Sequence, residues 1–336
     1  MTTRQDGLGR DTRPGATRDF RFSFNVFGLT TRQAFAGRCR EAERHGYDTV
    51  FAADHLGLPA PFPLLVAAAE ATERMRVGIL VLNAAFWNPA LLAREVATTD
   101  ILTGGRLEVG LGAGHMKWEF DEAGIGWQPF TARAERLNST IADLGRFFRS
   151  GFEQLPDVVT PPRPVQHQGF GGSGPPLIVG GTGDRILRIA AEHADIVSVA
   201  GVYQVRGQPP GIFRVGRAAE ADERVRFARA CAGPRADLIE WHVLVQSVTV
   251  TDDRRAAAQA MADQQRRMAA ERNVTDPAAV LSASELLETP FHLIGTIDEI
   301  AGQLRASRER WGFSYITVHA PFMEALAPVI GRLRAR

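Results

Sequence analysis

The sequence predicts an α/β fold of parallel βα units that close as a (β/α)8 barrel. Three observations carry this expectation. About eight short apolar runs of β type are each followed by a longer segment of helical period. No succession of hairpins interrupts the alternation, as expected for parallel strands joined by crossover helices. The 336 residues suit one such barrel. A doubly wound open sheet is the competing arrangement of the same units, and periodicity alone leaves both open.

RFSFNVF (21–27) reads as a buried strand, after which Thr30 or Thr31 can cap a helix carrying Phe35 and Cys39. TVFAAD (49–54) is the second strand, followed by a Pro-rich loop and a helix over 63–74. RVGILVLN (76–83) is almost wholly apolar, as a parallel strand covered on both faces should be. The helix after it opens with Pro89 and stops at Gly104. RLEVGLGAG (106–114) is the fourth strand, and a helix over 132–148 puts Leu137, Ile141, Leu144 and Phe148 on one face. Residues 151–175, rich in Pro and Gly, read as an excursion. PLIVGG (176–181) and ADIVSVAG (194–201) are strands five and six, separated by a helix over 184–193. A helix over 217–231, the strand WHVLVQSVTV (241–250), and helices over 254–271 and 277–287 follow. The chain ends with a helix over 297–311, the strand YITVHA (315–320) and a helix over 325–334. The long stretches after strands four, six and seven are expected insertions.

Composition narrows the function classes. Lys+Arg 39 against Asp+Glu 38 gives a net charge of +1, without the basic excess of a nucleic-acid or anionic-membrane surface. Cys39 and Cys231 stand apart and outside any CxxC pattern, so neither a disulfide framework nor a cysteine metal site is expected. The histidines show no HExxH spacing, and no metal is expected. Residues 1–19 read as a polar, disordered leader, with residues 20–336 as a single barrel domain. No signal-type apolar stretch or membrane-length run occurs, which points to a cytoplasmic protein. All but one of the basic residues are arginine, the exception being Lys117.

In a (β/α)8 barrel the loops after the strands carry the chemistry. Those positions hold Asn25, Asp54 and His55, Asn83, then Gly112, Gly114 and His115, then Gly180 to Gly183, Ser198, Gln246 and His319. Asp54 and His55 have the chemistry of an acid/base pair, and a His in a hydrogen-bonded turn is the alternative reading. The GGTG loop at 180–183 opens a helix, which suits a phosphate, although glycines also simply permit a tight turn. No P-loop, nucleophile elbow or strand-borne lysine is present, which disfavours nucleotide hydrolysis, covalent hydrolases and Schiff-base aldolases.

Taken together, NPALLAREVATTDILTGGRLEVGLGAG (88–114), EFDEAGI (119–125) with Arg133 downstream, PLIVGGTGDRILRIAAEHADIVSV (176–199) and GTIDEIAGQLRASRERWGFSYITVH (295–319) resemble the luciferase-like flavin/deazaflavin oxidoreductase superfamily over residues 20–332. The resemblance implies a (β/α)8 TIM barrel, commonly dimeric, that holds a flavin-type cofactor at the strand ends. The form of these strings is most similar to members using coenzyme F420, with FMN as the alternative cofactor. Carried over position by position, it implies Asp54 and His55 beside ring and substrate. It implies a bulge, often a non-prolyl cis bond, at Leu80-Val81, with Asn83 just beyond. It further implies Gly112, Ala113 and Gly114 near the ring, and Val179, Gly180, Gly181 and Thr182 around the phosphate or polar chain. The catalytic candidates are then His55, Asp54 and His115, with an Asp54 contact holding His55 in one tautomer. Asn25, Trp118 and Ser198 are the candidates toward substrate. Related sugar-phosphate dehydrogenases have a carboxylate and an amide where this chain has His115 and Trp118, which argues against that reaction. His115 and Lys117 would bring cationic character to the same loop. The expected function is F420-dependent hydride transfer to or from an activated C=C, C=N or carbinol carbon of a small molecule. An FMN-dependent monooxygenase and a non-catalytic flavin- or deazaflavin-binding protein are the alternatives.

Overall fold

The computed structural model of the chain describes residues 18–154, 156 and 159–335. The expected leader thus lies almost entirely outside the described residues. At its end, Arg18 donates to the carbonyl of Leu238 at 2.7 Å.

Numbered along the chain, eight strands form a closed barrel: β1 (Arg21–Val26), β2 (Thr49–Ala52), β3 (Arg76–Asn83), β4 (Leu107–Gly112), β5 (Leu177–Gly181), β6 (Ile196–Val199), β9 (Glu240–Val245) and β12 (Phe313–His319). All neighbours are parallel, and β12 returns to β1 with His319 opposite Asn25. Each barrel strand is followed by an outer helix: α1 (Arg32–Arg44), α2 (Pro61–Ala71), α3 (Pro89–Leu102), α5 (Phe130–Ser150), α6 (Asp184–His193), α7 (Ala218–Ala232), α10 (Ile297–Trp311) and α11 (Met323–Arg334). The remaining elements are insertions. The short α4 (Lys117–Glu122) follows β4, and the antiparallel hairpin β7 (Val202–Gln204) and β8 (Phe213–Val215) follows β6. After β9 come β10 (Ser247–Val250), α8 (Arg254–Glu271), α9 (Ala283–Glu288) and β11 (His292–Gly295), with β10 and β11 paired to each other outside the barrel.

Local chemistry places these elements. Asn88 accepts from the Ala90 N–H at 2.9 Å and Pro89 opens α3. Thr296 and Glu299 form a reciprocal capping box at α10, which ends at Gly312 with φ +83°. In α6, Ile186, Leu187, Ile189, Ala190 and Ala191 are the buried positions, the spacing of a helix lying on a sheet.

The barrel interior is layered. At the bottom, Glu108 accepts from Arg21, from Arg76 Nε at 2.7 Å and from the Tyr315 hydroxyl at 2.9 Å, while Arg21 also reaches Glu240 at 2.8 Å. Phe51, Ile178, Ile196 and Tyr315 form an apolar cluster with Leu80 packed against it. A buried polar file also crosses the interior. His242 lies 2.8 Å from Ser198 Oγ and 2.6 Å from Thr317 Oγ1, which in turn lies 2.5 Å from Ser23 Oγ.

Two expectations need correction. WHVLVQSVTV is not one strand: the Gln246 N–H bonds the Phe291 carbonyl at 2.7 Å, and the chain leaves the barrel there to pair β10 with β11. The helix expected over 277–287 is a 3-10 turn at Pro277–Ala279 followed by α9, because Ser282 caps a new helix start. Insertions after the fourth, sixth and seventh barrel strands are present as expected.

The closest packing in the barrel lies between β3 and β4. A Cβ on Gly110 would sit 2.1 Å from the Ile79 carbonyl oxygen, so Gly110→Ala is expected to destabilise the fold by about 3 kcal/mol or more. Gly37, inside α1, has nothing within 4 Å of its Cβ position, and Gly37→Ala should be neutral or add up to about 1 kcal/mol. Urea unfolding of both variants checks the contrast.

Burial pushes His242 down to about 3 and His292 down to about 4. Below about pH 6.5 the unfolded chain binds protons that the folded chain refuses. This stability is therefore complete above that pH and is lost as pH falls toward 3, by up to about 1.4 kcal/mol per pH unit for each group. Unfolding curves between pH 6.5 and 4 should show a shallower pH slope in His242→Gln than in the wild type.

Candidate active site

The mouth of the barrel is organised by the end of β3. The Leu80-Val81 peptide is cis, and the β3–β4 register shifts between Ile79 and Leu82. Strand β4 meets this bulge with glycine at alternate positions. A Cβ at Gly112 would lie 2.7 Å from Val81 Cγ2, and one at Gly114 (φ +73°) 2.6 Å from the Asn83 amide. GLGAG is thus a surface cut to receive the bulge. From α5, Arg133 clamps the β4 loop by donating to the carbonyls of Gly114, Ala113 (3.3 Å) and Gln128 (3.1 Å), with its guanidinium 3.8 Å from the Trp127 ring centroid.

Asn83 is 5% exposed. Its Oδ1 accepts from the Ala85 N–H at 3.2 Å and its own N–H donates to Asp54 at 3.1 Å, but its buried Nδ2 has no partner. A buried amide donor without an acceptor costs on the order of 1–3 kcal/mol, and here it stands among the residues expected to hold a ring.

Asp54 does not hold His55. Its Oδ2 accepts from the Asn83 N–H and from Trp87 Nε1 at 2.9 Å, whereas His55 Nδ1 lies 2.8 Å from Glu119 Oε1. The two neighbouring side chains thus bond different partners, which separates their roles. Glu119 is 2% exposed and also accepts from the Leu56 N–H at 3.3 Å. As a carboxylate it can only accept, so His55 Nδ1 carries the proton and neutral His55 keeps Nε2 as an acceptor.

His115 packs edge to face between His55 (5.4 Å between ring centroids) and Phe213 of the β7–β8 hairpin (5.3 Å). Desolvation, then the charges of His55 and Arg133, pushes His115 down to about 4. His115 nonetheless stays open to solvent. On the opposite wall, His319 Nδ1 lies 3.1 Å from Asn25 Oδ1 and its Nε2 3.4 Å from Gln246 Oε1. Ser198 is buried beneath Gly180, with its hydroxyl engaged by His242. Trp118 lies half-exposed on α4, and Lys117 beside it pairs with Asp121 at 2.6 Å, an ordinary i,i+4 helix pair.

In the β5 loop, Gly180 and Gly181 are explained by packing: their Cβ atoms would meet Ser198 at 3.2 Å and Ile186 at 2.6 Å. Thr182 Oγ1 donates to the Val202 carbonyl at 3.2 Å, and Arg224 from α7 donates to the Thr182 carbonyl at 3.3 Å. The site therefore gathers Asp54, His55, Asn83, the 112–115 loop, Asn25 and His319 at the barrel mouth. Reading the sequence missed Glu119 as the partner of His55, Phe213 as the cover on His115, and Arg224. Glu119 stands 64 positions from His55, and no local pattern joins them.

The fold and the residues gathered at this mouth define the class of protein as a (β/α)8 barrel whose strand ends carry the candidate site. The family model described as luciferase-like monooxygenase matches residues 26–315, and the chain belongs to that family. It is 29% identical over 139 residues to the oxygenase component of a flavin-dependent trigonelline monooxygenase of Acinetobacter baylyi, covering 38% of each chain. It is 33% identical over 163 residues to an F420-dependent glucose-6-phosphate dehydrogenase of Amycolatopsis mediterranei, covering 44% of this chain and 48% of that one. The chain spans about half the length of the curated relatives it matches. An F420-dependent secondary alcohol dehydrogenase in complex with an F420-acetone adduct superposes with a TM-score of 0.69 at 16% identity, covering 94% of this chain and 99% of that one, which shows the common fold. Among the described residues no helix is long and apolar enough to cross a membrane, and no group of three or more His, Cys, Asp or Glu is placed to hold a metal ion.

Removal of the Glu119 carboxylate should release the His55 tautomer. Two-bond 1H–15N correlation spectra at pH 8 are expected to show His55 protonated at Nδ1 in the wild type and mainly at Nε2 in Glu119→Ala. The same tautomer in both would break the link.

Proposed function

We propose that the chain is an F420-dependent oxidoreductase that moves a hydride between the deazaflavin and a carbinol carbon, or an activated C=C or C=N carbon, of a small organic substrate. The observation that carries this reading is the buried, unpartnered Asn83 Nδ2 beside the cis Leu80-Val81 peptide and the glycines of β4. A flavin-type ring offers the acceptor edge that this amide lacks. F420-dependent enzymes among the matched relatives favour the deazaflavin over FMN.

In this reading Asn83 would donate to the ring, and Leu80, Val81, Gly112, Ala113 and Gly114 would supply the surface that holds it. Val179, Gly180, Gly181 and Thr182 hold the phosphate or polar chain. Asp54, committed to Asn83 and Trp87, fixes the end of β3 rather than moving a proton. Bound F420 supplies two-electron hydride chemistry at C5. For a carbinol substrate, His55 Nε2 takes the hydroxyl proton while the Glu119 carboxylate at Nδ1 stabilises the imidazolium that results; reduction runs the same transfer backwards. His115, disfavoured as a cation, remains an acceptor in the same wall. Asn25 and Trp118 border the substrate, and Ser198 supports the floor beneath Gly180. The reading takes residues 20–336 as one barrel acting as a cytoplasmic homodimer, with an FMN-dependent monooxygenase as the second possibility that the trigonelline relative supports.

Anaerobic titration followed by fluorescence should show F420 binding more tightly than FMN. His55→Asn should lower hydride exchange with F420 about 100-fold while leaving F420 affinity within about threefold. Tight FMN binding with substrate-dependent oxygen uptake, and no F420 binding, would overturn the assignment in favour of the monooxygenase.

A further inference from the structure

Two pairs of stacked rings stand on opposite sides of the barrel mouth. On one side His319, which ends β12, lies 5.2 Å from Phe27 between ring centroids. On the other, His115, which follows β4, packs edge to face on Phe213 at 5.3 Å and on His55 at 5.4 Å. Strands β12 and β4 are four places apart in the ring of eight, so the strands leading into the two histidines are diametrically opposed. Leu56 and Trp118 are the chain neighbours of His55 and Glu119, whose side chains are bonded to each other, and the Leu56 N–H shares the same carboxylate. Phe27, Leu56, Trp118 and Phe213 all follow the C-terminal ends of barrel strands, and they are 42%, 50%, 49% and 37% exposed. Large apolar side chains left this open are ordinary when scattered; four at one barrel mouth, beside the free Nε2 acceptor of His55, form a surface that an apolar ligand can cover.

Charge at this surface disfavours an anion. Three cations beside it are already engaged: Lys117 pairs with Asp121 at 2.6 Å, Arg133 donates to three backbone carbonyls, and Arg214, next to Phe213, holds Glu220 through bonds of 2.6 and 2.9 Å. Desolvation pushes His115 down to about 4 and lowers His319, so both imidazoles favour the neutral form. The cationic character expected of His115 and Lys117 is therefore cancelled. The Glu119 carboxylate, 2.8 Å from His55, repels an anion approaching the same ring. We propose that the mouth takes an uncharged substrate with an aromatic or bulky apolar body, whose carbinol oxygen meets His55 Nε2 while the body lies against Phe213 and Trp118, and that Phe213 sets this specificity. The proposal rests on the reading of the mouth as the site of F420-dependent hydride transfer.

Three alcohols that share one carbinol group test it: propan-2-ol, 1-phenylethanol and 4-(1-hydroxyethyl)benzoate. Dissociation constants are read by saturation-transfer NMR on the protein alone and with F420 added, and hydride exchange with F420 is followed separately. 1-Phenylethanol should bind at least about tenfold more tightly than propan-2-ol, the effect of burying a phenyl ring, and at least about tenfold more tightly than the carboxylate. In Phe213→Ala the advantage of the phenyl ring should fall to about threefold while propan-2-ol affinity changes by less than about twofold. Phe213→Leu should keep most of the advantage, and thermal unfolding checks that each variant is folded. Equal binding of the carboxylate, no advantage of the phenyl ring, an advantage untouched in Phe213→Ala, or binding of none of the three overturns the proposal. A phenyl preference that depends on Phe213, in a protein that does not bind F420, supports the apolar substrate class and overturns F420 as the cofactor. Hydride exchange with F420 that favours the carboxylate or propan-2-ol overturns the substrate class and leaves the F420 reading standing.

Discussion

The interlock between β3 and β4 is the contact on which the candidate site depends. β3 carries a cis peptide at Leu80-Val81, and β4 accepts it only because Gly110, Gly112 and Gly114 present no Cβ on the facing side. The same contact brings the Asn83 amide against Gly114 and its N–H onto Asp54, so one packing event sets the strand end, the buried amide and the acid beneath it. Arg133 then holds the β4 loop from outside, and the short α4 beyond it delivers Glu119 to His55. In this account the glycine string of strand four receives a neighbouring strand, and the ligand is left the floor that results.

The barrel separates structural charge from functional charge. Arg21, Arg76, Glu108, Glu240 and Tyr315 close the bottom as a hydrogen-bonded ionic plug, the arrangement in which buried charge is tolerated. The mouth instead holds histidines, two of which sit on defined partners: His55 on Glu119, and His319 between Asn25 and Gln246. A net charge near zero thus conceals strongly local electrostatics.

Elements whose stability is local were legible in the sequence. The helices α6, α8 and α10 occupy the expected residues because local signals mark each one: the apolar period in α6, the Asp253 cap in α8, and the capping box with the Gly312 stop in α10. WHVLVQSVTV misled because an apolar run gives no sign that its second half pairs with β11, some forty residues later. The β7–β8 hairpin, three residues a strand, is too short to show a period. The strand alternation located the strand-end residues and the resemblance the cis peptide, whereas the Glu119–His55 bond and the Arg224–Asp184 bond join residues 64 and 40 positions apart, which only the fold brings together.

On the proposed function, the β3–β4 interlock leaves Asn83 Nδ2 as the donor for a deazaflavin ring. A crystal structure of the chain with F420 bound tests it most directly. The account predicts the ring resting on Leu80-Val81, with Asn83 Nδ2 hydrogen-bonded to a ring acceptor. A ring bound elsewhere, or an Asn83 amide still without a partner beneath it, would contradict the account.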